Sequence, residues 1–308
     1  MITLRGFETV REILQGYVEY LNEGLAPESF DLDDGTPRYG DPAPALWLVL
    51  AGELYVRRSE DQAFARDVLY PALEGVSHSY RSGTSHGVHV DADGLLVAGE
   101  GAEATKRADL NALWYHASVA IAQLARSVGR KEMGAFHLAW AREHQRRFNE
   151  ALWDEERGCL HHALEDEPVS GLGPGQLLAV SLPPSLLPPE RATRLVETVE
   201  RELFTPFGLR ETPDSSRVSP AWLGTFYSAY LRARGRGPEA QSQVRDWLEP
   251  LYARLADGRC ALLPEAFEVG PLGDHAEPAG ESVSILGAAE LARVWVEELD
   301  HAEASAEF

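Results

Sequence analysis

Cysteine is almost absent, with Cys159 and Cys260 the only two in 308 residues. Two cysteines cannot build a disulfide framework, and neither lies in a CxxC or Cys/His pair of zinc spacing. Lysine is as scarce: Lys106 and Lys131 stand alone, arginine carries the other positive charges, and genomic codon bias accounts for that first. Basic residues as a whole are outnumbered, 28 against 49 acidic, for a formal charge of −21. A surface this acidic repels phosphate backbones and anionic lipid, so neither nucleic acid nor a membrane surface is an expected partner. The most apolar stretch, Ala43 to Leu54, is too short to span a bilayer. The start, Met1-Ile2-Thr3-Leu4-Arg5, has no apolar signal-peptide region. A cytoplasmic location is expected. No phosphate loop, nucleophile elbow or dinucleotide fingerprint is present, so no cofactor is expected.

What is there is helical periodicity. Phe7, Val10, Ile13, Leu14, Tyr17, Val18 and Leu21 recur at three- and four-residue steps, and Gly24 follows as a stop. Similar stretches run over 44–57, 62–79, 109–128, 132–152, 176–181, 189–203, 220–234, 238–256 and 281–299. Several begin at proline and others end at glycine, as at Gly129 and Gly235. Ala43 to Leu50 and Ala112 to Leu124 are apolar nearly all round, which requires an inner layer of helices wrapped by an outer one. Strand patterns are scarce, with Val88 to Val90 the best short candidate. Long loops rich in Gly, Pro, Asp and Trp recur after every second helix: 24–42, 82–108, 153–175, 205–219 and 256–280. That alternation suggests one mouth of a closed double ring of helices, and no linker divides residues 1–308 into separate domains. A repeat solenoid would show a fixed consensus, and none is found.

Particular words stand in these loops and the helices beside them. Asp93-Gly94-Leu95-Leu96-Val97-Ala98-Gly99 is followed by Leu110-Asn111-Ala112-Leu113-Trp114-Tyr115-His116-Ala117. Then come the segments opening at Gln176, Leu203 and Trp222, and finally Leu263-Pro264-Glu265-Ala266-Phe267. In this order they resemble the C-terminal glucosidase domain of glycogen debranching enzymes, the amylo-α-1,6-glucosidase family. The resemblance runs over nearly the whole chain; upstream, 24–30 and 38–41 match more weakly. It implies an all-α (α/α)6 toroid, a six-hairpin glycosidase-like barrel, complete or short of its first helix. It also implies an acidic, aromatic-lined sugar pocket and inverting hydrolysis of an α-1,6-linked glucose.

The sequence also departs from that family. The Thr-Trp-Met-Asp segment, whose Asp looks like the family's general acid, is missing, because Thr105 runs directly into Lys106-Arg107-Ala108-Asp109. The family's Tyr-His-x-Gly-Thr-Val-Trp-Pro-Trp loop has shrunk to Arg217-Val218-Ser219-Pro220-Ala221-Trp222. Its Arg-Pro-Asn-Gln has become Gly173-Pro174-Gly175-Gln176, and its Gln-Ala-Trp-Ser reads Gly280-Glu281-Ser282-Val283-Ser284. Core words survive while sugar-facing words are trimmed.

Inverting hydrolysis needs an acid to protonate the leaving oxygen and a base to activate water, their carboxyls roughly 6.5–9.5 Å apart. Glu265 matches the family's base by position, and its apolar neighbours Leu262, Leu263, Pro264 and Phe267 would raise a carboxyl pKa. Glu103 is the candidate replacement acid. Asp109 and Asn111, opening a helix, are candidate sugar contacts, with capping the competing role for Asp109. Trp222, Trp114 and Tyr39 are candidate sugar-facing aromatics, and Asp41 a further polar contact; a core position is the alternative for Trp114. His86, His89, Asp91 and Asp93 share one loop and His161-His162 form a pair, but nothing fixes a coordination geometry, and no metal site is expected. Two readings therefore stand: a hydrolase acting on an α-glucan or malto-oligosaccharide, and a non-catalytic relative that binds such a glucan or a protein. An incomplete ring would leave an apolar flank for a second copy, so a homodimer is expected.

Overall fold

The computed structural model describes residues 6–256, 262–270 and 276–300. Most of these are helical. They fall into two compact units: Met1–Trp153 with Ala163–Val169, and Asp154–His162 with Ser170–Phe308.

The first unit holds α1 (Phe7–Glu19), α2 (Ala43–Ser59), α3 (Gln62–Phe64), α4 (Tyr70–Ser82), α5 (Ala108–Ser127) and α6 (Lys131–Ala151). α3 and α4 are joined by a π-helical turn, Ala65–Leu69. Pro71, near the start of α4, has no N–H to donate one turn back, and a widened turn absorbs that gap. α5 is the centre, packed by α2, α4 and α6. Its residues are buried on nearly every side from Ala108 to Ala125, as its apolar composition requires. Gly129, at φ +82°, turns the chain out of it.

Two buried polar side chains tie the neighbouring loop to this helix. The Asn111 amide pairs both ways with one strand residue: Oδ1 accepts from Leu96 N–H at 2.7 Å and Nδ2 donates to Leu96 O at 2.9 Å. Nδ2 also donates to Arg107 O at 2.9 Å. His144 of α6 sets one ring nitrogen 3.0 Å from Gly94 O and the other 2.9 Å from Asn111 O. Burial pushes its pKa down, against the pull of the two carbonyls and Asp93.

The second unit holds α7 (Leu178–Ser181), α8 (Pro189–Glu202), α9 (Leu223–Ala233), α10 (Pro238–Ala256) and α11 (Ile285–Val294). α9 is its centre and packs against α7, α8, α10 and α11. Pro189 and Pro238 open their helices, where a missing N–H costs nothing, and Ser284 caps α11 through Gly287 N–H at 3.0 Å. Phe204, Phe226, Tyr227, Tyr230 and Trp247 pack ring to ring. Here Gln176 does what Asn111 does in the first unit: its amide accepts from Leu160 N–H at 2.9 Å and donates to Leu160 O at 3.0 Å and Gly171 O at 2.7 Å.

The loop expectation needs correction. The connections carry short antiparallel strands that the periodicity did not reveal. Phe204–Thr205, Gly208–Arg210, Arg217–Ser219, Ala266–Val269 and Ala276–Ala279 form a five-stranded sheet in that order. Strands this short offer too few alternations to read as a period of two. The expected strand Val88 to Val90 does form, as His89–Val90 paired with Leu96–Val97. Cys260 lies outside the described residues, as do two parts of the loop 256–280, residues 257–261 and 271–275.

Candidate functional site

Glu265 immediately precedes the strand Ala266–Val269 of the second unit. Its neighbours Leu263, Pro264, Ala266 and Phe267 are buried, while its own side chain is 53% exposed. The expected apolar surroundings therefore do not enclose the carboxyl. What surrounds it is polar. Glu281 N–H donates to Oε2 at 3.0 Å, and Arg217 Nη2 lies 3.6 Å from the same oxygen. Glu265 N–H in turn donates to Glu281 O at 2.9 Å. Gly280, at φ +70°, passes so close that a Cβ there would collide with Oε2. Oε1 has no hydrogen-bond partner among the described residues, which leaves one lone-pair face open on a carboxylate tethered at the other oxygen. Trp222, partly buried, ends the 3₁₀ turn Pro220–Trp222 that continues the Arg217–Ser219 strand.

The other candidates lie in the first unit. Arg107 forks onto Asp109, with Nε to Oδ1 at 3.1 Å and Nη2 to Oδ2 at 2.5 Å, and its Nη1 stands 3.9 Å from Asp41 Oδ2. Burial works against the Arg107 charge, and the two carboxylates outweigh it, so its pKa is raised. Asp109 also accepts from Leu110 N–H at 2.8 Å, so part of its role is to hold the first turn of α5. Asp41 accepts from Ala43 N–H at 2.7 Å at the start of α2. Tyr39 donates its hydroxyl to Tyr20 O at 2.7 Å, with its ring 6.3 Å from that of His86. Asp41, Arg107 and Asp109 thus gather where α2 and α5 begin.

Asn111 and Trp114 lie elsewhere, in the core of that unit. Both are 0% exposed, and the Asn111 amide is committed to Leu96 and Arg107, which leaves it nothing to offer a sugar. Trp114 packs against Tyr80, centroids 5.8 Å apart. Their assignment as sugar contacts gives way to a structural role, because an inner helix buries all its faces. Glu103 ends the 3₁₀ turn Gly101–Glu103 and is exposed. Ala98 and Thr105 pair across the base of that loop at 3.0 and 2.9 Å, so Glu103 rides on a closed hairpin tip. In the histidine-containing loop, the Lys106 ammonium stands 2.8 Å from Asp91 and 2.5 Å from Asp93. No group of three or more possible metal ligands occurs among the described residues.

Sequence reasoning missed Arg107, Arg217 and Gly280. Arg217 sits in the trimmed loop, but its approach to Glu265 depends on the pairing of Arg217–Ser219 with Ala266–Val269, and nothing local announces that register.

A rhamnosidase from Klebsiella oxytoca with rhamnose bound shares this architecture, with a TM-score of 0.62 over 94% of this chain at 15% identity. The chain spans about half of that protein, 54% of its length. The fold is therefore that of a helical, glycosidase-like protein. A family profile described as Amylo-alpha-1,6-glucosidase matches residues 1–229, and the chain belongs to that family. The matched stretch takes in Tyr39, Glu103, Asp109, Arg217 and Trp222 and ends before Glu265. No curated protein matches the sequence. Among the described residues, no helix is long and apolar enough to cross a membrane.

Proposed function

We propose that the protein is an α-1,6-glucosidase-type glycoside hydrolase that acts on an α-glucan or malto-oligosaccharide by inversion, in the cytoplasm, as one (α/α)6 toroidal domain. The observation that carries this reading is Glu265: one oxygen is held by Glu281 N–H and Arg217, and the other, which has no partner among the described residues, can take a proton from water. A base needs that combination of fixed direction and an open lone pair. Glu103, on its exposed hairpin, is the proposed acid. Asp109, Tyr39 and Trp222 are the proposed sugar contacts. Ile13 and Tyr17, exposed on α1, support a homodimer as the assembled form.

The test is release of free glucose from phosphorylase limit dextrin and from a 6-α-glucosyl malto-oligosaccharide, with Glu265→Gln and Glu103→Gln alongside. Glucose from the wild type, lost in both variants, supports the assignment. Glucose lost in Glu265→Gln alone moves the acid elsewhere. Two observations favour the second reading, a non-catalytic glucan binder: Glu265 is half exposed and ion-paired, and the family's acid segment is missing. No glucose from the wild type on either substrate would sink the hydrolase reading for these substrates.

A further inference from the structure

The second unit contains a cleft of about 580 Å³ away from Glu265, within the range of small-molecule sites, roughly 300–1,000 Å³. The end of α8 and the Phe204–Arg210 hairpin form one side, and the chain from Pro213 to Ser216 with Val269 and Gly270 forms the other. Val269 is four residues beyond Glu265, which puts the cleft roughly 13 Å along the strand from the candidate base.

Its walls are held by bonds that do not use the open space. Thr205 Oγ1 donates to Gly208 O at 2.8 Å, Val269 N–H donates to Ser216 O at 2.9 Å, and Ser216 Oγ donates to Glu268 at 2.8 Å. Arg210 donates one N–H to Ser215 O. Phe204 lines the cleft and is braced from within: it stacks on Phe226 with centroids 4.8 Å apart at 23°, and Trp247 lies 4.9 Å away. The ring is a fixed apolar plate at the edge of a polar cleft.

The charges decide the ligand class. The ionised lining residues are Arg201, Glu202, Arg210 and Asp214, two of each sign, with Arg201 Nη2 donating to Glu202 Oε1 at 2.8 Å. An anion would meet two carboxylates, and a cation two guanidiniums. An apolar molecule would strip water from four charged groups without replacing its hydrogen bonds. A neutral polyhydroxy molecule satisfies all of them, because each hydroxyl both accepts from arginine and donates to a carboxylate, while a C–H face packs on Phe204. We propose that this cleft is an accessory sugar site, holding a neutral malto-oligosaccharide segment several residues away from the reacting end. The polyol chemistry comes from the cleft itself; the choice of an α-glucan rests on the function proposed above.

The test is titration of the full chain with maltoheptaose by calorimetry, with cellohexaose as the comparison sugar. The variants are Phe204→Leu, Asp214→Ala and, as a control away from both sites, Glu190→Gln at the exposed start of α8. Asp214 is exposed, so its variant reports on binding even where Phe204→Leu fails to fold. The Kd should rise roughly ten-fold in Asp214→Ala and in folded Phe204→Leu, and stay within about two-fold in Glu190→Gln. The proposal is overturned by any of three results: no maltoheptaose binding, an affinity unchanged in the folded cleft variants, or binding of cellohexaose in place of maltoheptaose. Free glucose is assayed on the same samples. Variant-sensitive binding without glucose keeps the cleft and removes the hydrolase; glucose without variant-sensitive binding does the reverse.

Discussion

At the scale of the residue, the buried amides and the glycine beside Glu265 do the most specific work. Asn111 gives both backbone groups of Leu96 partners where water cannot reach. Truncation to alanine leaves a buried donor and acceptors unpaired, at about 1–3 kcal/mol each before relaxation. Asn111→Ala should therefore cost about 2–4 kcal/mol in urea unfolding, and a loss below about 1 kcal/mol would mean that water takes the amide's place. Gly280 poses the opposite case, because its lack of a side chain is what makes room. Gly280→Ala adds about 1–2 kcal/mol of left-handed backbone strain and drives a methyl into Glu265 Oε2. If Glu265 is the base, displacing it by about an ångström should reduce glucose release on the order of 10²-fold, with KM little changed. Glu268→Ala, on the same strand, is the control expected to keep its rate.

At the scale of the element, the crossing of α5 and α6 demands a residue without a side chain. A Cβ at Gly134 of α6 would stand 2.7 Å from Arg126 Cγ and 3.0 Å from the Ala122 carbonyl on α5. Gly134→Val should cost about 1–3 kcal/mol through overpacking and show as a lower thermal midpoint. Gly75 of α4, which a Cβ would leave in open space, should tolerate alanine with no loss. The helices themselves are legible to within a few residues, since the periodicity predicts 109–128 and 132–152 where Ala108–Ser127 and Lys131–Ala151 stand. Helical periodicity is written into neighbours three and four apart, so it needs no knowledge of the fold. The five-stranded sheet was not legible. Its strands are two to four residues long, and the pairing of Val218 with Phe267 joins positions far apart in the chain.

At the scale of the whole molecule, acid should destabilise the chain through a specific buried group as well as through its many carboxylates. His137 on α6 is 1% exposed, and burial, aided by Arg81, pushes its pKa down to about 4 from an ordinary value near 6.5. The folded state then binds fewer protons than the unfolded state between these two values. Stability from this residue is full above about pH 6.5 and is lost as the pH falls toward 4, by about 3 kcal/mol at most. Urea unfolding at pH 7 and pH 4.5 should show the wild type losing about that much more than His137→Leu. Equal losses in the two proteins would assign the acid sensitivity to other groups.

The amino-acid order by itself determined the helices, their proline starts and glycine stops, the fully buried character of α5, and the family, because each rests on local pattern or on short words in a set order. It also marked Glu265 and Asp109 by their place in those words. Tertiary structure alone decided what those carboxylates face. Arg217 and Glu281 reach Glu265 through a strand register, Arg107 turns toward Asp109 and Asp41, and Asn111 and Trp114 go into the core rather than toward solvent. The reason is physical: secondary structure is chosen by neighbours along the chain, whereas the environment of a side chain is chosen by residues that only folding brings near.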